Sequence, residues 1–384
     1  MEKQKSVALL VETSNAYARN LLSGIVSYIK TTRSWSVYLP EQHRGATPPS
    51  WLQNWKGDGL IVRIETEAIA RAVKKLKMPI VDVSAARHVP KIPWVETDDA
   101  AIARLAYEHF HQRGFEHFAF CGEPEYNWSN WREQAFIREA MRWKRNCSVF
   151  HSKSRDTPGF SLSRERTRLT KWILGLPRPV ALFACYDIKA QQILDICREN
   201  KIDVPEEVAL LGVDNDELLC DLCTPPLSSV IPAAHKTGHE AARLLDMMMN
   251  GMQVEQLSHL IEPIGVATRQ STDVLAIEDQ DIAAAMQFIR DHSCEGINVH
   301  DILAQVPLSR RVLEKRFHEI VGRTPHQEIT RRRVEQIRRL LIETDLTLSQ
   351  IARMTGFQNE EYMSVTFSRA MKVPPGRFRR EAKA

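Results

Sequence analysis

Four polar side chains occupy positions from which a row of hydroxyl groups can be bound: Asn15, Arg132, Asp187 and Asp214. Each lies in a segment that follows a short aliphatic or β-branched run, where a strand ends and the residues beyond it are presented. Amide, guanidinium and carboxylate groups accept and donate along such a row, and Tyr17, Trp128 or Trp131 offers the flat apolar face on which the C–H side of a sugar rests. Each residue also has a plainer reading. Asp187 suits a cap on a helix beginning at Ile188, and the tryptophans suit a filled loop.

The elements that would position these groups are legible as alternation. Residues 6–11, 59–62, 79–83, 118–121, 180–185 and 208–213 read as buried strands, with helical spacing over 17–30, 100–113 and 188–200 between them. Strands alternating with helices predict a doubly wound α/β body with a parallel sheet, and such sheets bind ligands at the carboxyl ends of their strands. The body is expected to span residues 1–267, followed by a polar linker over 268–280.

The last segment, residues 281–384, reads as helical throughout and contains an internal repeat. Asp301-Ile302-Leu303, Pro307-Leu308-Ser309, Leu313 and Phe317 are matched by Gln350-Ile351-Ala352, Gly356-Phe357, Asn359, Met363 and Phe367. Each copy reads as a short helix, a tight turn and a second helix whose N-cap is Ser309 or Asn359; Thr347 with Gln350 forms a capping box. This is the helix-turn-helix pattern, whose second helix enters the DNA major groove. Residues 325–343 between the copies read as one helix, about 28 Å long at 1.5 Å per residue, against ~34 Å for one turn of B-DNA. Leu313, Phe317, Met363 and Phe367 are core by spacing.

Charge agrees with that division. The chain of 384 residues has a net charge of +4, but residues 281–384 carry 18 Lys or Arg against 13 Asp or Glu, leaving the first 280 residues near neutral. A basic segment suits a nucleic-acid partner, while Arg331-Arg332-Arg333 also suits a solvated helix face. Arg332 is a candidate for phosphate contact.

Two resemblances add to this reading. The stretches Ala181-Leu-Phe-Ala-Cys-Tyr-Asp187, Val204-Pro205, Val208-Ala-Leu-Leu-Gly-Val-Asp214-Asn215, Thr224-Pro-Pro-Leu-Ser-Ser-Val230 and Gly238-His-Glu-Ala-Ala-Arg-Leu-Leu245 resemble the effector-binding core of the LacI/GalR repressors. That resemblance implies a two-lobed, periplasmic-binding-protein-like body with several chain crossings, a sugar in the cleft and a homodimer formed through the body. It places the family's acidic sugar contacts on Asp187 and Asp214 and its arginine on Arg132. Those repressors carry their DNA-binding segment ahead of the body; here a strand is expected from Ser6, so the DNA reader is expected at the other end.

The tail resembles the AraC/XylS family of DNA-binding domains, carried by Gly322-Arg-Thr-Pro325, Gly356-Phe357 and Val373-Pro-Pro-Gly-Arg-Phe-Arg379. The resemblance places exposed recognition residues on Arg310, Arg311, Glu314 and Lys315 in the first copy and on Glu360, Glu361 and Ser364 in the second. Arg311 or Lys315 would pair with guanine, a contact discriminating by ~1–3 kcal/mol; Glu360 and Glu361 either accept from cytosine N4 or sit at the rim. Pro307 stands where the family usually has a turn glycine, and Leu303 where it has a small residue. A LacI-type body before an AraC-type tail resembles the pentose-responsive transcription activators, which implies D-xylose or a related aldopentose as effector.

Composition excludes several alternatives. With 43% apolar residues, 16 glycines and 19 prolines the chain is neither fibrous nor disordered. The polar start and the short apolar run behind it predict neither a secretory leader nor a membrane span, and seven scattered cysteines predict free thiols, so a cytoplasmic protein is expected. An enzyme is the first rival, but the chain has no Gly-x-Gly-x-x-Gly, phosphate loop, Gly-x-Ser-x-Gly or His-Glu-x-x-His. Cys220-Asp-Leu-Cys223 is a lone pair, so neither metal nor cofactor is expected, and His109, His111 and His117 read as surface residues. A pure sugar-binding module is the second rival, opposed by the basic repeat.

Overall fold

The computed structural model describes residues 4–32, 35–41, 47–154, 157, 159–274, 277 and 279–383, and divides into two units, Met1–Val274 and Leu275–Ala384. Residues 1–3, and 275, 276 and 278 of the expected linker, lie outside the described residues.

The first unit begins with β1 (Lys5–Leu10), α1 (Ala16–Thr32), β2 (Trp35–Tyr38), β3 (Gly59–Val62), α2 (Glu67–Val73), β4 (Ile80–Asp82) and β5 (Trp94–Thr97), which form one lobe. The chain then builds a second lobe from α3 (Asp99–His111), β6 (His117–Gly122), α4 (Asn127–Arg142), β7 (Cys147–His151) and α5 (Leu162–Leu174). This lobe continues with β8 (Val180–Ala184), α6 (Asp187–Glu199), β9 (Val208–Val213), α7 (Glu217–Leu222) and β10 (Ser228–Ile231). It returns to the first lobe for α8 (Ala234–Met249) and β11 (Ser258–Ile261), and crosses once more to β12 (Gly265–Ala267).

The first sheet runs β11-β5-β4-β3-β1-β2 with parallel pairing; the second runs β12-β10-β9-β8-β6-β7 and is parallel except where β12 meets β10. The three crossings are tied to one another, Asp98 N–H donating to the Ile261 carbonyl (2.9 Å) and Ile264 N–H to that of Ile231 (2.9 Å).

Strands β3, β8 and β9 are buried at every residue, which is why they read as continuous apolar runs. The expected strands are all present to within two residues at either end, and the helices likewise. Six strands go beyond the sequence reading: β2, β5, β7, β10, β11 and β12. Of these, β2, β7, β11 and β12 are at sheet edges, and β5 and β10 carry buried Glu96, Thr97, Ser228 and Ser229. Residues 269–272, placed in the linker from sequence, are instead packed into the second lobe, where Ser271 Oγ accepts from Ser228 N–H (2.8 Å) and donates to the Leu210 carbonyl (2.6 Å).

His109 also departs from its expected surface position. It is buried on the inner face of α3 with Nε2 2.8 Å from Thr272 Oγ1. Burial, with Arg113 adding to it, pushes its pKa down to about 3.

In the second unit, α9 (Gln280–His292), α10 (Val299–Leu303), α11 (Arg310–Val321), α12 (Pro325–Glu343), α13 (Leu348–Met354), α14 (Glu360–Met371) and α15 (Pro375–Lys383) build two small cores. Helix α12 serves both. Its Ile329 joins Ile302, Leu313 and Phe317, while Val334, Ile337, Leu340 and Leu341 join Ile351, Phe357, Met363 and Phe367.

Helices α1 and α8 pack through glycine: a Cβ on Gly24 would lie 1.9 Å from the His235 carbonyl oxygen, and one on Gly238 1.9 Å from that of Leu21. Gly238→Ala is expected to cost ~1–3 kcal/mol in urea unfolding. Gly175→Ala, whose Cβ would meet nothing closer than 3.6 Å, is expected to be neutral or slightly stabilising. For His109, the folded state resists a proton that the unfolded chain accepts near pH 6.5, so its stabilising contribution is present above that pH and lost as pH falls toward about 3. Unfolding midpoints measured from pH 7 to 5 are therefore expected to fall less steeply in His109→Gln than in the wild type.

Candidate effector cleft and nucleic-acid interface

Strand ends from both lobes converge on a cavity lined by Tyr17, Arg63, Val83, Ala85, Glu96, Thr97, Asp99, Trp128, Arg132, Tyr186 and Asp214. Arg63 follows β3, Val83 follows β4, Glu96 and Thr97 end β5, Tyr186 follows β8 and Asp214 follows β9. A second cavity, beside α5 and α6, contains none of the residues expected from sequence.

Every arginine at the cleft is held by carboxylate. Arg63 is buried and bonds Glu12 through Nη1 and Glu65 through Nη2 (2.5 Å). Burial disfavours its charge, but Glu12 and Glu65 more than offset that and raise its pKa. Arg132 donates from Nε to Asp99 Oδ1 (2.7 Å) and from Nη1 to the Cys185 carbonyl (2.6 Å), with its guanidinium 5.0 Å from the Trp128 ring centroid. Burial raises the pKa of Asp99, and Arg132 opposes the rise. Glu96 is also raised by burial, with Asp99 adding to it, while Arg87 opposes from 3.1 Å. Asp82, behind the cavity, accepts Ile64 N–H (3.2 Å) and Ser84 N–H (2.9 Å) and is pushed by burial to about 7.

The aromatic faces come from Tyr17, whose hydroxyl is 3.5 Å from Thr97 Oγ1, and from Trp128, which meets Tyr186 edge to face with centroids 5.7 Å apart. Asp214 holds a positive φ of 109° and Asn215 one of 46°. Such backbone costs ~1–3 kcal/mol and concentrates at functional sites.

Of the residues expected at the cleft, Tyr17, Trp128, Arg132 and Asp214 line it. The other three stand behind or beside it. Asn15 caps α1 by accepting from Ala18 N–H (2.8 Å) and donates to Glu12 (3.0 Å), so it reaches the cavity only through the Glu12–Arg63 pair. Trp131 gives its face to Arg87, 3.9 Å from the ring centroid. Asp187 is buried under β9, where it accepts from Ser229 Oγ (2.6 Å), Asp216 N–H (2.9 Å) and Cys220 Sγ (3.5 Å). Its side chain does not cap α6, whose N-cap is Tyr186. The Cys220 thiol is thus tied to a carboxylate, and burial pushes the Cys223 thiol to about 11.

Sequence reading missed Arg63, Glu96, Thr97, Asp99 and Tyr186 at the cleft. Arg63 and Tyr186 had a signal, since each comes one or two residues after an expected strand. Glu96 and Thr97 had none, because their strand is too polar to read as one.

In the second unit, Ser309 caps α11 and Asn359 caps α14, accepting from Val312 N–H (3.5 Å) and Tyr362 N–H (2.8 Å). Arg310, Arg311 and Lys315 are exposed on α11; Arg310 pairs with Glu314 (2.9 Å) and Lys315 lies 3.9 Å from Glu319. Glu360 and Glu361 are exposed in the first turn of α14, where the helix dipole favours carboxylates, and Ser364 is half-buried. Thr347 and Gln350 form a capping box at α13.

The triple-arginine run is not a solvated face. Arg331 and Arg332 both bond Glu328, which is fully buried and also meets Arg323 at 2.8 Å. With 9% of its side chain exposed, Arg332 supports the fold, which corrects its assignment to phosphate. Arg333 donates to the carbonyls of Ser293 (2.6 Å) and Ile297 (2.9 Å) and lies over Phe357.

A two-lobed α/β body followed by paired helix-turn-helix motifs is the build of a ligand-controlled transcription regulator. Family models agree: residues 6–100 match the XylR N-terminal domain, 107–272 a periplasmic binding protein-like domain and 302–381 a helix-turn-helix domain. The chain is 32% identical to the xylose operon regulatory protein of Escherichia coli strain K12, over 98% of this chain and 97% of that one. The protein of the same name from Haemophilus influenzae is 29% identical, over 98% and 99%. A solved structure, described as the xylose-binding transcription activator XylR, superposes with a TM-score of 0.79 at 31% identity and covers 98% of both chains. The chain belongs to the family of xylose operon regulatory proteins. Among its described residues, no helix is long and apolar enough to cross a membrane.

Removing one partner of a buried ion pair costs ~3–5 kcal/mol because the other is stranded. Arg132→Met is expected to destabilise by that order in urea unfolding, and the double variant Arg132→Met with Asp99→Asn to recover part of the loss.

Proposed function

We propose that this protein is a sugar-responsive transcription activator that binds D-xylose, or a closely related aldopentose, between its two lobes and reads operator DNA with α11 and α14. The observation that carries the reading is one chain joining a cavity of paired charges and aromatic faces to a tandem helix-turn-helix. The names of its relatives in E. coli and H. influenzae support xylose in particular.

A neutral polyol suits this cleft. Its hydroxyls take the lone pairs that the ion pairs leave over, without disturbing the charge balance, and its C–H face rests on Tyr17 or Trp128. The division of labour is the two-lobed body, which takes in residues 269–272, for the effector and residues 281–384 for DNA, in a cytoplasmic homodimer. Sugar bound preferentially to closed lobes shifts the dimer toward the arrangement whose tails fit paired half-sites, by no more than its differential affinity for the two states. The effector is bound and released unchanged, so the protein is not an enzyme.

On DNA, Arg311 supplies the bidentate donor for guanine, since the neighbouring Arg310 is engaged by Glu314.

Calorimetric titration with a panel of pentoses and hexoses is expected to give the tightest binding for D-xylose; absence of heat with every sugar overturns the reading. In fluorescence anisotropy, Arg311→Ala is expected to lose ~1–3 kcal/mol of discrimination at one base pair while keeping its affinity for random duplex.

A further inference from the structure

We propose that Arg87 couples sugar binding to lobe closure, by orienting Glu96 toward the sugar while its guanidinium is clasped between Trp94 of one lobe and Trp131 of the other. The inference rests on the reading of the cleft as a sugar site and goes beyond it by naming how closure is sensed.

The two faces of the guanidinium are covered by rings from different lobes. Its central carbon lies 4.0 Å from the ring centroid of Trp94, which opens β5, and 3.9 Å from that of Trp131 on α4. Beside it, Asn127 Nδ2 of α4 donates to the Ala86 carbonyl at 3.2 Å, a second bond across the same edge of the cleft. Arg87 itself sits at φ 53°, in the left-handed region.

Glu96 is the link to the ligand. Its Oε1 accepts from Arg87 Nη2 at 3.1 Å, while its Oε2 is buried and has no hydrogen-bond partner among the described residues. Glu96 lines the cavity, and a buried carboxylate oxygen without a donor is a costly arrangement that a sugar hydroxyl would relieve. The contacts then run in one chain: sugar hydroxyl to Glu96, Glu96 to Arg87, Arg87 to Trp131. When the lobes part, Trp131 leaves with α4 and Arg87 keeps only Trp94 and Glu96, so the second aromatic contact is made in the closed state alone. Arg87 and Trp131 are positioning residues that need not touch the sugar.

The test uses the full-length chain and D-xylose, with affinity read by calorimetry and stability by thermal melting with and without sugar. Trp131→Ala, although outside the cavity lining, is expected to bind D-xylose about tenfold more weakly, and Trp131→Phe to recover most of that loss. Arg87→Lys keeps the charge but not the planar faces, and is expected to weaken binding as Trp131→Ala does. The melting temperature without sugar should stay near that of the wild type in all three variants, while the sugar-induced rise shrinks. D-xylose binding with unchanged affinity in Trp131→Ala overturns the clasp, as does a fall in sugar-free melting temperature that accounts for the weaker binding. A wild type that binds no sugar overturns the reading of the cleft and the clasp with it.

Discussion

Charge taken out of water has to be met by opposite charge or by hydrogen bonds, and that requirement shapes both halves of this protein. In the body, Arg63 is pinned by Glu12 and Glu65, and Arg132 by Asp99 and the Cys185 carbonyl. In the tail, buried Glu328 gathers Arg323, Arg331 and Arg332. None of these side chains can turn aside without stranding a partner. The cleft is therefore ordered before ligand arrives, which lowers the entropy cost of binding.

The same economy fixes the spacing of the DNA-reading elements. Helix α12 contributes to both small cores, so the two hairpins share one rod of 19 residues. Arg333 joins Ser293 and Ile297 from the first core to Phe357 of the second. Gly356, at φ 72°, lets the second turn approach the backbone at Gly296 and Cys294, where a Cβ would come within 2.5 Å. The second helices of the two hairpins differ in chemistry: α11 exposes Arg310, Arg311 and Lys315, whereas α14 exposes Glu360, Glu361 and Tyr362.

Elements buried on both faces were readable, because a strand such as β9 has no polar residue to interrupt it. Helix-turn-helix copies were readable through their caps and repeated apolar spacing. Edge strands were not, since β2 buries only Trp35, and β5 was hidden because the polar residues that make it useful also mask its period. At the cleft, residues just past a strand's end announced themselves, but their partners did not. Trp131 looked like a sugar platform until Arg87, distant in sequence, covered it, and Asp187 looked exposed until β9 folded over it through Gly212, where an added Cβ would lie 2.2 Å from the carboxylate. Ion-pair partners are set by tertiary contact, which local patterning does not carry.

If one chain links a sugar cleft to a DNA reader through a shared equilibrium, the coupling has to be reciprocal. Titrating D-xylose into the protein alone and into its complex with saturating operator duplex measures this directly. The sugar affinity is expected to tighten in the complex by the same factor by which sugar tightens duplex binding. Sugar affinity that is identical with and without duplex, alongside duplex affinity that is identical with and without sugar, would contradict it.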